Sequence, residues 1–174
     1  MTYKESLTTA MTALGDDART RFIGYGVTKG KAGGTLTGVT SAQLIETPVA
    51  ENLMAGIAIG LSLAGKLPVV YFERFDFVLN AADAIVNHLD KMATMSNGEF
   101  KPAVILRCVV GNTRKPLFTG ETHVQDFTDA FACMVKMPVM TCHHAAHVES
   151  IYAQAREAQL CGGSTIIVEY KDLL

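Results

Sequence analysis

Short runs rich in valine and isoleucine recur along this chain with helix-length segments between them: Pro68–Phe72, Ala103–Val109 and Thr165–Glu169 are the clearest. A strand rich in such residues, with little alternation, is buried on both faces, which happens when helices cover both sides of a parallel sheet. Parallel neighbours need a crossover between them, and the intervening segments have the length and periodicity to be those helices. Read in order, the chain gives helix Tyr3–Leu14, strand Arg21–Tyr25, strand Gln43–Glu46, helix Glu51–Ala64, strand Pro68–Phe72 and helix Val78–Met95. It continues with strand Ala103–Val109, a helix beginning near Gln125, strand Val139–Cys142, helix His147–Leu160 and strand Thr165–Glu169. The expected fold class is α/β, a doubly wound, mostly parallel sheet with helices on both faces. With 49% apolar residues in 174, one domain spanning 1–174 can bury its own core.

Ligands of such sheets collect outside the carboxyl ends of the strands. Two places there carry chemistry. Glu51 stands where a strand gives way to a helix, so its carboxylate is set to point into a cleft at that edge, although an acid in a first turn also simply favours the positive helix end. After strand Pro68–Phe72 come Phe75 and Phe77, rings able either to hold a flat ligand or to fill the core.

Other features leave more open. Gly56 and Gly60, one turn apart with alanines beside them, suit close approach of a second backbone, from a partner chain or from the domain's own sheet. His123 precedes the helix near Gln125 and is either a proton-handling group or a solvated loop histidine. Cys142, His143, His144 and His147 include zinc-ligand types, with His143 and His147 expected on one helical face, but no second cluster completes a site and no metal is assigned. Two long connections, Gly26–Thr40 and Val110–Thr122, are expected to be functional or mobile. The stretch Gly24–Gly30 has one residue too many for a dinucleotide fingerprint, and P-loop, G-x-S-x-G and HExxH motifs are missing.

Composition excludes several classes. A net charge of −2, without a basic run beyond Arg19–Arg21 or Lys29–Lys31, argues against nucleic acid as a partner. The stretch Leu53–Gly65 falls short of the roughly 20 apolar residues of a membrane span, and the first ten residues lack a signal-like apolar core. A soluble, cytoplasmic protein is expected, its four dispersed cysteines reduced.

Taken in order, Glu51, the run MAGIAIG, the segment YFERFDF and the helix AADAIVNHLDK resemble the pyrimidine-binding domain of thiamine-diphosphate enzymes, closest to transketolase and the beta subunits of 2-oxo acid dehydrogenases. The resemblance implies that Glu51 binds N1′ of the coenzyme's aminopyrimidine and activates it, and that Phe75 or Phe77 stacks on that ring. It implies further that His123, in a segment like the family's H-x-Q, meets the substrate. The family's Gly-Asp-Gly segment with a downstream Asn has no counterpart here, so Mg²⁺ and the diphosphate are expected on a separate subunit, in a homodimer or heterotetramer inactive without it. A subunit of a split 2-oxo acid decarboxylase and a non-catalytic interaction domain of the same fold are the competing expectations.

Overall fold

The computed structural model describes residues 1–117 and 120–174; Phe118 and Thr119, in the second long connection, lie outside them. Among the described residues six strands run parallel: β1 (Thr20–Gly24), β2 (Leu44–Glu46), β3 (Leu67–Phe72), β4 (Ile105–Val110), β5 (Val139–Thr141) and β6 (Thr165–Tyr170), in the order β2-β1-β3-β4-β6-β5. Every residue of β3 and β4 is buried, which is why those strands read as nearly continuous apolar runs, Arg107 in β4 being the exception.

Register assigns the side chains to two cores. Ile23 lies opposite Val70, Val70 opposite Leu106 and Leu106 opposite Ile166, and all four belong to one apolar cluster. Their neighbours Phe22, Val69 and Ile105 point the other way and form the second. Helix α2 (Glu51–Leu63) packs Met54, Ala55, Ala58 and Ile59 into the first cluster. Helices α1 (Tyr3–Gly15) and α6 (Ala145–Leu160) cover the second face. α1 starts where it does because Thr2 and Glu5 form a reciprocal capping box. The doubly wound reading of the sequence therefore holds.

The helix expected over Val78–Met95 is broken up. Helix α3 (Phe75–Val78) runs into a tight turn at Leu79–Ala81, a π-helical stretch at Ala84–Leu89 and helix α4 (Met92–Met95). Ala81, Ile85 and Leu89 recur every four residues and all face the core. At 3.6 residues per turn such a stripe drifts by about 40° at each step, and a wider turn straightens it. Asp90, just after, accepts the backbone N–H groups of Lys136 and Met137 at 2.7 and 2.9 Å, fixing where the helix must end. Helix α5 (Thr128–Met134) begins three residues later than the chain pattern suggested.

The connection Gly26–Thr40 is packed instead of loose. Val27, Ala32, Leu36 and Val39 are buried in the second core, and the Glu46 carboxylate accepts the N–H groups of Gly26 and Thr28 and the Thr28 hydroxyl. Among the described residues no helix is long and apolar enough to cross a membrane.

Candidate active site

The carboxyl edge of the sheet brings Glu51 and the segment after β3 together. β2 ends at Glu46, four residues cross the edge, and Glu51 opens α2; β3 ends at Phe72 and Phe77 follows in α3. Between them lies a cleft of about 220 Å³ whose walls include Val49, Met54, Phe72 and Phe77, with Glu51 on its surface. Glu51 is only 6% exposed. Among the described residues its carboxylate accepts only a long hydrogen bond, 3.3 Å from Asn80 Nδ2 to Oε2. A carboxylate shut in apolar surroundings with so little engagement gains strongly from a donor entering the cleft.

The structure separates the two phenylalanines. Phe75 is fully buried, its ring 5.5 Å from that of Phe131 and 5.9 Å from that of Phe127, so it is core and does not line the cleft. Phe77 lines the cleft and meets the ring of His123 edge-on at 5.1 Å. His123 thus belongs to the same corner of the molecule, held at φ 75° with its Nδ1 2.7 Å from the Thr122 hydroxyl oxygen.

A second cavity of about 560 Å³ shares Tyr25, Tyr71 and Glu73 with the first and continues toward Lys29 and Thr47 under the glycine-rich connection. The Thr47 hydroxyl is buried without a hydrogen-bond partner among the described residues. Burial pushes the Tyr71 phenol up to about 12, against the pull of the Arg107 guanidinium lying 5.1 Å from its ring centre. Tyr71 therefore stays protonated at neutral pH. Beneath it the buried Arg107 pairs with Glu169 through Nε at 2.8 Å and Nη2 at 3.0 Å, and Tyr152 donates to the same carboxylate.

Of the Cys142–His147 cluster only His144 and His147 stay together, their rings 5.7 Å apart. Cys142 is buried, and its carbonyl accepts the Tyr3 hydroxyl. His143 stacks on Tyr170 at 4.5 Å and precedes α6, so it does not share a helical face with His147; α6 starts at Ala145 because His144 has extended backbone. No three His, Cys, Asp or Glu side chains among the described residues are grouped to hold a metal. Outward on α2, a side-chain carbon added at Gly56 or Gly60 would meet nothing within 4 Å, so the domain's own sheet does not require these glycines.

Asn80 and Asp76 were not legible as site residues. Asn80 lies 29 positions from Glu51, and Asp76 lies 47 from His123; only the hydrogen bonds connect them. Tyr71 stood in the aromatic segment already noticed but gave no sign of bridging two cavities.

In a parallel, doubly wound α/β domain, the carboxyl edge where this buried acid and aromatic ring stand is the usual place for a ligand. Comparison with known proteins narrows this. The family model described as transketolase, pyrimidine binding domain, matches residues 1–174. The mitochondrial pyruvate dehydrogenase E1 component subunit beta of Saccharomyces cerevisiae is 27% identical over 165 residues, covering 89% of this chain and 43% of that one. The corresponding subunit of Dictyostelium discoideum is 31% identical over 125 residues, 70% of this chain and 32% of its own. A solved structure, that of a split gene transketolase in an inactive beta4 tetramer, superposes with a TM-score of 0.76 over 98% of this chain and 52% of that one, at 18% identity. The chain belongs to the transketolase pyrimidine-binding domain family. It spans less than half the length of these two curated relatives.

Proposed function

We propose that this domain, a single unit over 1–174, binds the aminopyrimidine ring of thiamine diphosphate between Glu51 and Phe77, as one half of a two-chain transketolase-like or 2-oxo acid dehydrogenase enzyme. The observation that carries the reading is the Glu51 carboxylate, buried, almost unengaged, and opening on an apolar cleft beside an aromatic ring. A flat heterocycle with one basic ring nitrogen needs such a slot and such an acceptor, so the residues present fit the group. When bound, the coenzyme supplies an acidic thiazolium carbon able to add to a substrate carbonyl.

The chain's own part is to hold a proton and a ring. Glu51 would hold N1′ of the aminopyrimidine through a shared proton. Phe77 orients the ring by stacking, worth of order 0.5–1.5 kcal/mol beyond the area it buries. Val49, Met54 and Phe72 keep water from the carboxylate, which strengthens the shared hydrogen bond. His123, against the edge of Phe77, binds the substrate carbonyl or carboxylate and passes a proton. Mg²⁺ and the diphosphate are assigned to a partner chain.

The outward stripe Leu53, Gly56, Gly60 and Leu63 on α2 favours assembly. Leu53 and Leu63 are about half exposed although large and apolar, and the glycines between them leave an open groove for another helix. In this reading the active unit contains at least two copies of each chain.

The test mixes the protein with its diphosphate-binding partner and follows coenzyme binding by calorimetry and turnover of a 2-oxo acid or ketose. Glu51→Gln is expected to cut turnover by roughly 10² or more, within the range of general acid–base groups, while assembly persists. Wild-type turnover in that variant refutes the role of Glu51, and a pair that binds no coenzyme refutes the whole reading.

A further inference from the structure

We infer that Asp76 is a positioning residue that clamps the His123 segment against the Glu51 cleft; its effect on turnover rests on the function proposed above, whereas the clamp itself does not. Asp76 stands between Phe75, which is core, and Phe77, which lines the cleft. Its Oδ1 accepts two hydrogen bonds from one incoming segment, from the His123 backbone N–H at 2.8 Å and from Gln125 Nε2 at 2.8 Å. Its Oδ2 is closed off from solvent and has no hydrogen-bond partner among the described residues. The carboxylate is thus committed to that segment.

The segment needs holding. His123 is not glycine yet has φ 75°, a left-handed conformation that a side chain disfavours. On its carbonyl side it approaches Gly111 so closely that a side-chain carbon there would overlap the His123 oxygen. On its N–H side it is anchored by Asp76. The peptide is therefore gripped from both ends, and a bond to an ionised acceptor is among the stronger grips a side chain offers. With the backbone fixed, the imidazole is left to meet Phe77 edge-on at 5.1 Å. Release of the N–H would let φ return to the extended region and swing the ring off the cleft.

An acid that merely favoured the first turn of α3 would not care what residue 123 does, and this separates the two roles. On the purified chain, amide hydrogen exchange of residues 120–127 is expected to speed up roughly tenfold or more in Asp76→Ala, the loss of a charge-assisted bond. Asp76→Asn keeps an acceptor oxygen and is expected to restore protection. Unchanged exchange in the alanine variant overturns the clamp. If that variant does not fold, Gln125→Ala, at an exposed position, is expected to loosen the same residues by a smaller factor; full protection there overturns the clamp equally. In the assembled enzyme Asp76→Ala is expected to lower kcat by roughly tenfold or more with coenzyme affinity held within about twofold. In a His123→Ala background it should cost nothing further, and additive losses overturn the claim that Asp76 acts through His123. A wild-type assembly without coenzyme-dependent turnover sinks the function proposed above and leaves the exchange result to decide the clamp.

Discussion

Phe75 and Phe77 sit two residues apart and should fail in opposite ways when truncated. Phe75 has no exposed surface and touches Phe127 and Phe131, so Phe75→Ala leaves a ring-sized cavity in the first core at a cost of about 3–5 kcal/mol. At a urea slope of about 2 kcal/mol/M, that lowers the unfolding midpoint by roughly 1.5–2.5 M. Phe77 is part-exposed at the cleft wall, and its truncation is expected to cost about 1 kcal/mol of stability or less. Its stacking energy of about 0.5–1.5 kcal/mol instead appears in ligand affinity, a weakening of roughly two- to tenfold before lost area is counted. The assays are urea denaturation of the isolated chain and calorimetric titration of thiamine diphosphate into the assembled enzyme. Equal destabilisation by the two variants, or a loss of coenzyme affinity confined to a folded Phe75→Ala protein, refutes the assignment of Phe77 to the cleft.

Three other outcomes are expected. Glu169→Gln strips the buried Arg107 of its countercharge and should destabilise the chain by about 3–5 kcal/mol, whereas replacing both residues by apolar ones of similar volume should recover most of that; a double-mutant cycle in urea checks it. Gly60→Leu fills the groove on α2 without touching the domain's own core, so sedimentation should show impaired self-association while the unfolding midpoint rises slightly, a mid-helix Gly being unfavourable by about 0.5–1 kcal/mol. Burial raises the Glu46 pKa, but the hydrogen bonds from Thr28 and Gly26 outweigh it and hold the carboxyl below its usual range. Because the folded-state pKa is the lower one, the stabilisation is complete above the ordinary glutamate range near about 4.3 and fades as pH falls through the folded value. Amide exchange at Gly26 and Thr28 should accelerate there, and Glu46→Gln should remove that pH dependence.

How much could be read from the chain differs between fold and site, for a physical reason. Mostly apolar strands separated by helix-length segments allow few arrangements, because buried parallel strands need crossovers and the crossovers must cover both faces; the sheet was legible on that ground. Glu51 was legible as a candidate because a strand end followed by a helix start is a local pattern that places an acid at the carboxyl edge. The helix expected over Val78–Met95 was misread because periodicity near four residues looks helical, while the widening that aligns Ala81, Ile85 and Leu89 answers to the core they meet.

The linear order of residues thus determined the class of fold, the edge where a ligand would collect and the acid waiting there. The tertiary structure alone decided which ring faces that acid, since Phe75 and Phe77 are equally aromatic and only the position of Phe127 and Phe131 claims one of them for the core. It also decided that the glycines of α2 face outward, that Arg107 and Glu169 neutralise each other across neighbouring strands, and that Asp76 reaches His123. Local patterns report the preferences of a stretch of backbone. Pairings between residues dozens of positions apart come into being only when the sheet closes and burial forces each polar group to find a partner.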